Sequence, residues 1–175
     1  MMIIYDHKKL KRFFVAIAAI CTISIGALQA QEMKKGMSLF NAGFGLVRGW
    51  GMNISYDYGL IDEWGPGIFT IGAYFGYGNW WESPNFVRFR ESVIGFAPRA
   101  TYRYQIIDLL EVFGTARMGV AFSSYSYHHK THIKELFALS VGCRYSIDKN
   151  IAVFSEISGG FYNISFLNGG LSVSF

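Results

Sequence analysis

The sequence predicts an all-β fold: an eight-stranded antiparallel up-and-down transmembrane β-barrel with a cleaved N-terminal signal peptide. Three observations predict it. Between Met37 and Phe175 the dominant period of the side chains is two residues, which is typical of strands. One face of these segments is apolar while the other carries small, polar and charged residues, the arrangement expected of a barrel in a bilayer. A secretory leader precedes them, and no segment of that range shows a helical stripe.

The leader has the three parts of a secretory signal. Lys8, Lys9, Lys11 and Arg12 form a basic region, an apolar run follows over 13–25, and small residues precede Gln31. The apolar run is too short to cross about 30 Å of hydrocarbon as a helix. We therefore expect residues 1–30 to be removed, with cleavage between Ala30 and Gln31, and residues 31–175 to form one barrel domain.

Removal of the leader changes the charge and the cysteine count. The full chain has 16 Lys and Arg and 12 Asp and Glu. Four of those basic residues and one acid leave with the leader, so twelve basic and eleven acidic residues remain. A net charge of about +1 gives no support to a nucleic-acid partner. Cys143 is then the only cysteine, so an intramolecular disulfide is excluded.

The interruptions by Gly, Pro, Asp and Asn divide the chain into eight segments, most of which reach the roughly 9–11 residues that a tilted strand needs to cross a bilayer. The predicted strands are 37–47, 50–60, 67–78, 91–104, 110–122, 134–147, 151–161 and 164–175.

The two faces of the predicted strands exclude the soluble alternatives. The series Phe69, Ile71, Ala73, Phe75 and Tyr77 is apolar and faces lipid, whereas the alternate positions are mostly glycine or polar. A soluble sandwich would pack its apolar face inside, and a soluble lipid-binding barrel would need polar outer faces that these strands lack. We therefore expect a small, polar interior.

The connections alternate in length. Those at 61–66, 105–109 and 148–150 are short and fall on the side of both chain ends, whereas 79–90 and 123–133 are long. Short periplasmic turns and longer outer loops are expected of membrane barrels. The sequence thus predicts two long outer loops and a rim that is high on two sides.

The C-terminal residues carry a family resemblance. Asn168, Gly170, Val173 and Phe175 resemble the C-terminal assembly signal of bacterial outer-membrane β-barrels. With the leader, the strand number and the alternating faces, the chain resembles the small eight-stranded outer-membrane barrels of the outer membrane protein X and outer membrane protein A transmembrane-domain type. The resemblance implies an integral outer-membrane location and insertion by the barrel-assembly machinery. It also implies contact with outer-membrane lipid and lipopolysaccharide, and no cofactor.

Charged residues on the inward face form the first candidate site. Eight strands leave an interior only wide enough for side chains, so buried charges there must pair. By position, one group lies near the periplasmic end and a second at mid-height, and Arg103 is expected directly opposite Glu111 if their hairpin is simple. The alternatives are a salt-bridged polar plug and a narrow ion or proton path. The predicted interior network is Asp57, Arg103, Glu111 and Arg144, with Arg99, Arg117 and Glu156 above them.

The outer rim forms the second candidate site. Arg88 and Arg90 are expected to point outward at headgroup height, where guanidinium groups would pair with lipopolysaccharide phosphates. Aromatic residues there could bind a surface ligand or an envelope protein, or simply anchor the barrel in the membrane. The candidate contact residues of this rim are Trp80, Trp81, Arg88, Arg90, His128, His129 and Lys130.

The favoured function is that of a non-enzymatic barrel with a closed interior, which serves envelope integrity, adhesion or surface binding through 79–90 and 123–133. Some eight-stranded barrels modify lipid A with a His and a Ser near the outer leaflet, so His128 or His129 with a nearby serine is the enzymatic alternative. A narrow pore is the second alternative. No Cys or fixed carboxylate accompanies the histidines, so no metal site is predicted.

Overall fold

The computed structural model describes residues 33–46, 49–61, 65–82, 89–125 and 131–175, without the side chains at 49, 80–82 and 89. The predicted signal peptide at 1–30 lies outside the described residues. Within the described part of the chain, no helix is long and apolar enough to cross a membrane.

Eight antiparallel strands form a closed barrel in which each strand pairs with the next and β1 pairs with β8. The predicted architecture is therefore confirmed. The strands are β1 (Ser38–Leu46), β2 (Gly49–Ile61), β3 (Ile68–Glu82), β4 (Phe89–Ile107), β5 (Leu110–Tyr125), β6 (Thr131–Ser146), β7 (Ile151–Phe161) and β8 (Leu167–Ser174).

The chain end closes the barrel. Ser38 and Phe175 exchange two backbone hydrogen bonds of 2.8 and 3.0 Å. The pairing is strongly staggered, since one row of paired residues runs from Gly45 near the end of β1, through β8, β7, β6, β5 and β4, to Ile68 at the start of β3. Closed barrels require such a stagger. We call the end that contains Phe175 periplasmic and the opposite end outer, following the predicted orientation.

The two long outer loops predicted at 79–90 and 123–133 are wrong in extent. The strands continue into both ranges, so that only 83–88 and 126–130 separate them. Backbone groups of a strand that projects into water are satisfied by its neighbours whatever its side chains, so polar residues need not end it.

The prolonged strands form one continuous wall, whereas the sequence analysis expected a rim high on two sides. Pairing between β4 and β5 reaches Glu91 and Tyr125, and pairing between β5 and β6 reaches Ser124 and Thr131. We call this region the outer wall; it comprises 78–82, 89–95, 121–125 and 131–135.

The outward face is apolar around the barrel. Exposed side chains include Met52, Phe75, Phe96, Met118 and Val141, the last 66% exposed. Only a hydrocarbon environment makes such a continuous belt favourable. Pro98 lies on this face and interrupts the β4–β5 ladder without a change of register, as a residue without an N–H must.

The last strand begins at Leu167, and the prediction of a start at 164 is wrong. Ile164 instead turns into the barrel, where it is 2% exposed and packs in an apolar cluster with the inward side chains of β3 to β6. The small, polar interior that was expected is therefore largely confined to the middle of the barrel. This outer cluster comprises Tyr74, Val93, Ala97, Ala121, Leu136 and Ile164.

A second apolar cluster fills the periplasmic end. Met33, Leu39 and Ile68 are buried together there, with Met37 packed against them. The interior therefore has an apolar cluster towards each end and a polar layer between them, with the buried polar pair of Glu91 and Ser123 beyond the outer cluster. This layering sets the environment of the charged residues described next.

Candidate functional site in the barrel interior and at the outer wall

Asp57 lies at the centre of the polar layer. It is 0% exposed and faces the lumen from β2. Arg103 Nη2 donates to Asp57 Oδ2 at 2.7 Å, and Arg99 Nε approaches Oδ1 at 3.0 Å as an ion pair. One carboxylate therefore compensates two guanidinium groups that β4 brings to it.

Arg103 joins Asp57 to a second carboxylate. Its Nη1 donates to Glu111 Oε1 at 2.6 Å, and Arg144 Nη1 lies 3.7 Å from Glu111 Oε2. The expectation that Arg103 stands directly opposite Glu111 is wrong, because the strands run on to Ile107 and Leu110 around a tighter turn than 105–109, and Arg103 therefore pairs with Phe113. The ion pair forms diagonally, which long side chains permit.

Uncharged side chains close this network into a ring. Arg144 Nε donates to Ser172 Oγ at 3.2 Å, and Ser172 Oγ donates to Asn41 Oδ1 at 2.6 Å. Asn41 Nδ2 then reaches Asp57 Oδ2 at 3.4 Å. The ring links six strands across the lumen, and Asn41, which the sequence analysis did not single out, is the member that completes it.

Hydroxyl groups hold Arg99 from the other side. Its Nη1 donates to Ser55 Oγ at 2.7 Å, and its Nη2 lies 3.3 and 3.2 Å from the hydroxyls of Thr101 and Thr115. Arg99 was expected among the mid-height charges, whereas the structure pairs it with Asp57. The two residues lie in one register row on β2 and β4, and Gly72 between them on β3 has no side chain to keep them apart.

Arg117 belongs to a separate group beneath the outer cluster. Its Nη1 lies 3.3 Å from Glu156 Oε1, its guanidinium carbon lies 4.3 Å from the centre of the Tyr74 ring, and its Nη2 donates to Asn163 Oδ1 at 3.0 Å. Asn163 comes from the connection between β7 and β8. The inward-folded connection is thus tied to the charged layer.

The buried charges of the described residues balance. Four arginines are buried, and so are Asp57, Glu111, Glu156 and Glu91. Glu91 was missed by the sequence analysis, although it has the inward parity of its strand. It accepts a hydrogen bond from Ser123 Oγ at 2.5 Å. A balanced set is what a water-poor interior requires, because an unpaired buried ion costs several kcal/mol.

Little enclosed space remains in the middle of the polar layer, although an open cavity of about 310 Å³ at the periplasmic end reaches Arg103 and Glu111. A cavity of about 10 Å³ lies among Asn41, Ser55, Arg99, Arg144 and Glu156. That is room for about one water molecule. With apolar clusters above and below, the described interior contains no continuous aqueous path.

On the membrane-facing side of the outer wall, Asn79 is 4% exposed although it points outward. Its Oδ1 accepts a 2.8 Å hydrogen bond from Arg90 Nε, and its Nδ2 donates to Ser92 Oγ at 2.9 Å. Arg90 is exposed. The outward position expected for Arg90 therefore holds, and Asn79 is a neighbour that the sequence analysis did not identify.

Much of the predicted rim lies outside the described residues: Arg88, His128, His129 and Lys130, and the side chains of Trp80 and Trp81. Of the histidines, His132 is described. It pairs with Ser123 on the inward parity, and its ring contacts Tyr125 at 6.1 Å between centroids. Ser123 donates to Glu91, so its hydroxyl is not directed at a histidine base.

The C-terminal motif has a structural role in the fold. Asn168 is buried and donates to Asn53 Oδ1 at 3.2 Å, whereas Val173 and Phe175 are exposed on the outward face. A Cβ on Gly170 would lie 2.0 Å from the Ala42 carbonyl oxygen of β1. Glycine is therefore required where the last strand meets the first.

Comparison with known proteins finds similar folds among solved structures. No protein-family model matches the chain, and no curated protein matches it by sequence. The N-terminal β-barrel domain of OprF from Pseudomonas aeruginosa is 13% identical with a TM-score of 0.54, and the match covers 81% of this chain and 98% of that one.

Two further solved structures are similar. A de novo designed transmembrane β-barrel is 14% identical with a TM-score of 0.53, covering 83% of this chain and 100% of the design. The outer membrane protein Ail of Yersinia pestis in a nanodisc is 12% identical with a TM-score of 0.50, covering 81% and 100%. At such identities the likeness shows the fold alone. The chain therefore has the fold of the small eight-stranded outer-membrane β-barrels, and its apolar belt suits an integral position in that membrane.

Proposed function

We propose that this protein is a closed, non-enzymatic outer-membrane barrel whose working part is the outer wall, which serves envelope integrity, adhesion or surface binding. The observation that carries the proposal is the layered interior. Because the interior is filled, function must be exercised at a surface. The outer wall is the described part of the barrel that extends beyond the apolar belt at the outer end.

The interior speaks against a pore. An ion that crossed it would have to displace Ile164 and the apolar cluster around it, and then separate paired arginines and carboxylates. Separating a buried ion pair costs about 3–5 kcal/mol, and this cost would arise each time an ion passed through the barrel. The charged layer therefore fits a structural plug.

The position of Ser123 argues against its use as the nucleophile of a lipid A-modifying enzyme. Ser123 is 0% exposed and bonded to Glu91, and it faces the lumen rather than the outer leaflet. A nucleophilic serine needs a base within hydrogen-bond reach and access to its substrate. Ser123 lacks that access, and the group that accepts its hydrogen bond is the Glu91 carboxylate, not a histidine.

Single-channel recording in planar bilayers tests the proposal. We expect the purified, refolded chain 31–175 to give no current steps above those of protein-free bilayers. Arg117→Gln, which removes one charge of the Arg117–Glu156 pair, should remain silent as well. Discrete steps in the wild-type protein whose size changes in the Arg117→Gln variant would establish the pore and overturn the proposal.

Mass spectrometry of lipid A tests the enzymatic alternative separately. Cells with and without the protein should give the same acyl-chain pattern. A gain or loss of one acyl chain that depends on His128, His129 or His132 would show that the protein is an enzyme.

A further inference from the structure

On β3, β4 and β5 the membrane-facing side of the outer wall changes from apolar to polar side chains within one step. The last apolar outward residues on β3 to β6 are Tyr77, Ile94, Phe122 and Ile133, although on β6 the charged Glu135 lies on the apolar side of Ile133. The next outward residues are Asn79, Ser92, Ser124 and Thr131, which are paired with one another in one register row. A row of amide and hydroxyl groups directly beyond the apolar belt lies where polar headgroups meet the hydrocarbon.

Arg90 is the next outward residue beyond Ser92 on β4. Two residues along a strand correspond to about 6.6 Å, so its backbone lies one step outside the polar row. A long guanidinium side chain can cover that distance in either direction. Arg90 therefore reaches the headgroup layer rather than the hydrocarbon.

The guanidinium of Arg90 is held in place. Its Nε donates to Asn79 Oδ1, and Asn79 is itself fixed by Ser92 Oγ at 2.9 Å and by the Tyr77 hydroxyl at 3.3 Å. Tyr77 in turn packs against Trp50, with 5.6 Å between the ring centres. Within the described part of the chain, neither Nη atom of Arg90 has a hydrogen-bond or ion-pair partner. A fixed arginine with its two-nitrogen edge unused is suited to bidentate binding of a phosphate.

We infer that Arg90, positioned by Asn79, binds the phosphate of an anionic glycolipid headgroup in the outer leaflet. The hydroxyls of Ser92 and Ser124 contribute further polar contacts on the same face. This inference rests on the proposed function and names the partner of one side of the outer wall. Charge complementarity selects the partner, because a cation at the polar edge of a lipid belt faces lipid phosphates wherever the barrel is inserted.

Native mass spectrometry of the refolded chain with added lipid tests the inference. The probes are lipid A with both phosphates and the same lipid A without phosphate. We expect wild type to retain the phosphorylated probe about tenfold better, the effect of one charge-assisted hydrogen-bonded pair. Arg90→Gln should lose this preference, and Arg90→Lys should keep part of it. Lys149→Gln removes the same charge from the exposed β6–β7 turn at the periplasmic end and should behave as wild type.

The positioning role of Asn79 is tested by Asn79→Ala, which leaves the charge intact. We expect its preference for the phosphorylated probe to fall between those of wild type and Arg90→Gln. All variants are first checked for folding by the heat-dependent shift of their migration in gels. A preference unchanged in Arg90→Gln, or lost equally in Lys149→Gln, would overturn the inference.

Free inorganic phosphate distinguishes the source of the ligand. If millimolar phosphate removes the preference in wild type, Arg90 is a general anion site and the lipid assignment is wrong. A barrel that conducts current would overturn the proposed function, yet would leave the lipid preference of Arg90 to be measured independently.

Discussion

At the scale of single residues, Asp57 organises the interior. It is fully buried and compensates Arg99 and Arg103, whereas Glu111 and Glu156 serve the remaining arginines. Desolvated guanidinium groups are tolerable only with such partners. The loss of this one carboxylate would leave two cations without their nearest compensating charge.

Asp57→Asn should therefore destabilise the barrel strongly while keeping the size of the side chain. We expect the free energy of unfolding to fall by about 3 kcal/mol, as for other broken buried ion pairs. Urea unfolding in lipid vesicles, followed by tryptophan fluorescence, measures it. Asp148→Asn, at an exposed turn, is the control and should change the free energy by less than about 0.5 kcal/mol. A loss as small in Asp57→Asn as in the control would contradict this account.

The sequence was sufficient to place the charges inward, because strand parity assigns each residue to a face. It was not sufficient to assign the partners. The tight turn that pairs Ile107 with Leu110 sets Arg103 against Phe113, and the register of β2, β3 and β4 places Asp57, Gly72 and Arg99 in one row. Both effects depend on turn geometry, which the alternation of faces along a strand does not specify.

At the scale of elements, the connection between β7 and β8 acts as an internal plug. Ile164 enters the lumen beside three inward glycines: Cβ atoms on Gly51, Gly76 and Gly95 would lie 3.1, 2.8 and 2.8 Å from its side chain. The absence of side chains at these three positions makes the space that Ile164 fills. The plug and its socket are therefore complementary in volume.

Ile164→Ala should empty that space. The lost contacts and the resulting cavity should lower the free energy of unfolding by about 3 kcal/mol. The matched control is Phe166→Ala in the same connection, since Phe166 is 58% exposed and should matter by less than about 0.5 kcal/mol. Equal effects of the two substitutions in urea unfolding would show that Ile164 does not support the fold.

The residues at which the strands begin and end were the feature of the fold least predictable from the sequence. The apolar residues Ile164 and Phe166 have the opposite parity to the outward residues of β8, such as Leu171 and Val173. This change of phase was the one sign in the sequence that the strand does not extend back to 164. By contrast, Asn79 suggested the end of β3, yet the strand continues through it. Local pattern decides which residues can be extended, whereas neighbouring strands decide which of them are paired.

At the scale of the whole molecule, the barrel reverses the distribution of charged and apolar side chains that is usual in a water-soluble protein. Its charges are inside, and exposed apolar side chains such as Ile54, Leu139 and Leu171 form the outside. In water such a surface would associate, whereas in hydrocarbon it is satisfied and the closed sheet leaves no unpaired edge. The charged residues inside and the apolar belt outside are thus two consequences of placing the same closed sheet in hydrocarbon.

Cys143 offers a direct test of this arrangement, since it is exposed on the outward face of β6 between Val141 and Tyr145. A charged, water-soluble maleimide cannot enter hydrocarbon, so we expect Cys143 to resist it in vesicles and to react fully in urea. The control is Ser124→Cys in a Cys143→Ser background, which places a thiol in the polar row of the outer wall and should react in vesicles. Mass spectrometry of the chain 31–175 measures the extent of labelling at both thiols. If Cys143 in vesicles reacted as fast as the thiol at 124, lipid would not cover β6, and the membrane-inserted arrangement of the barrel would be wrong.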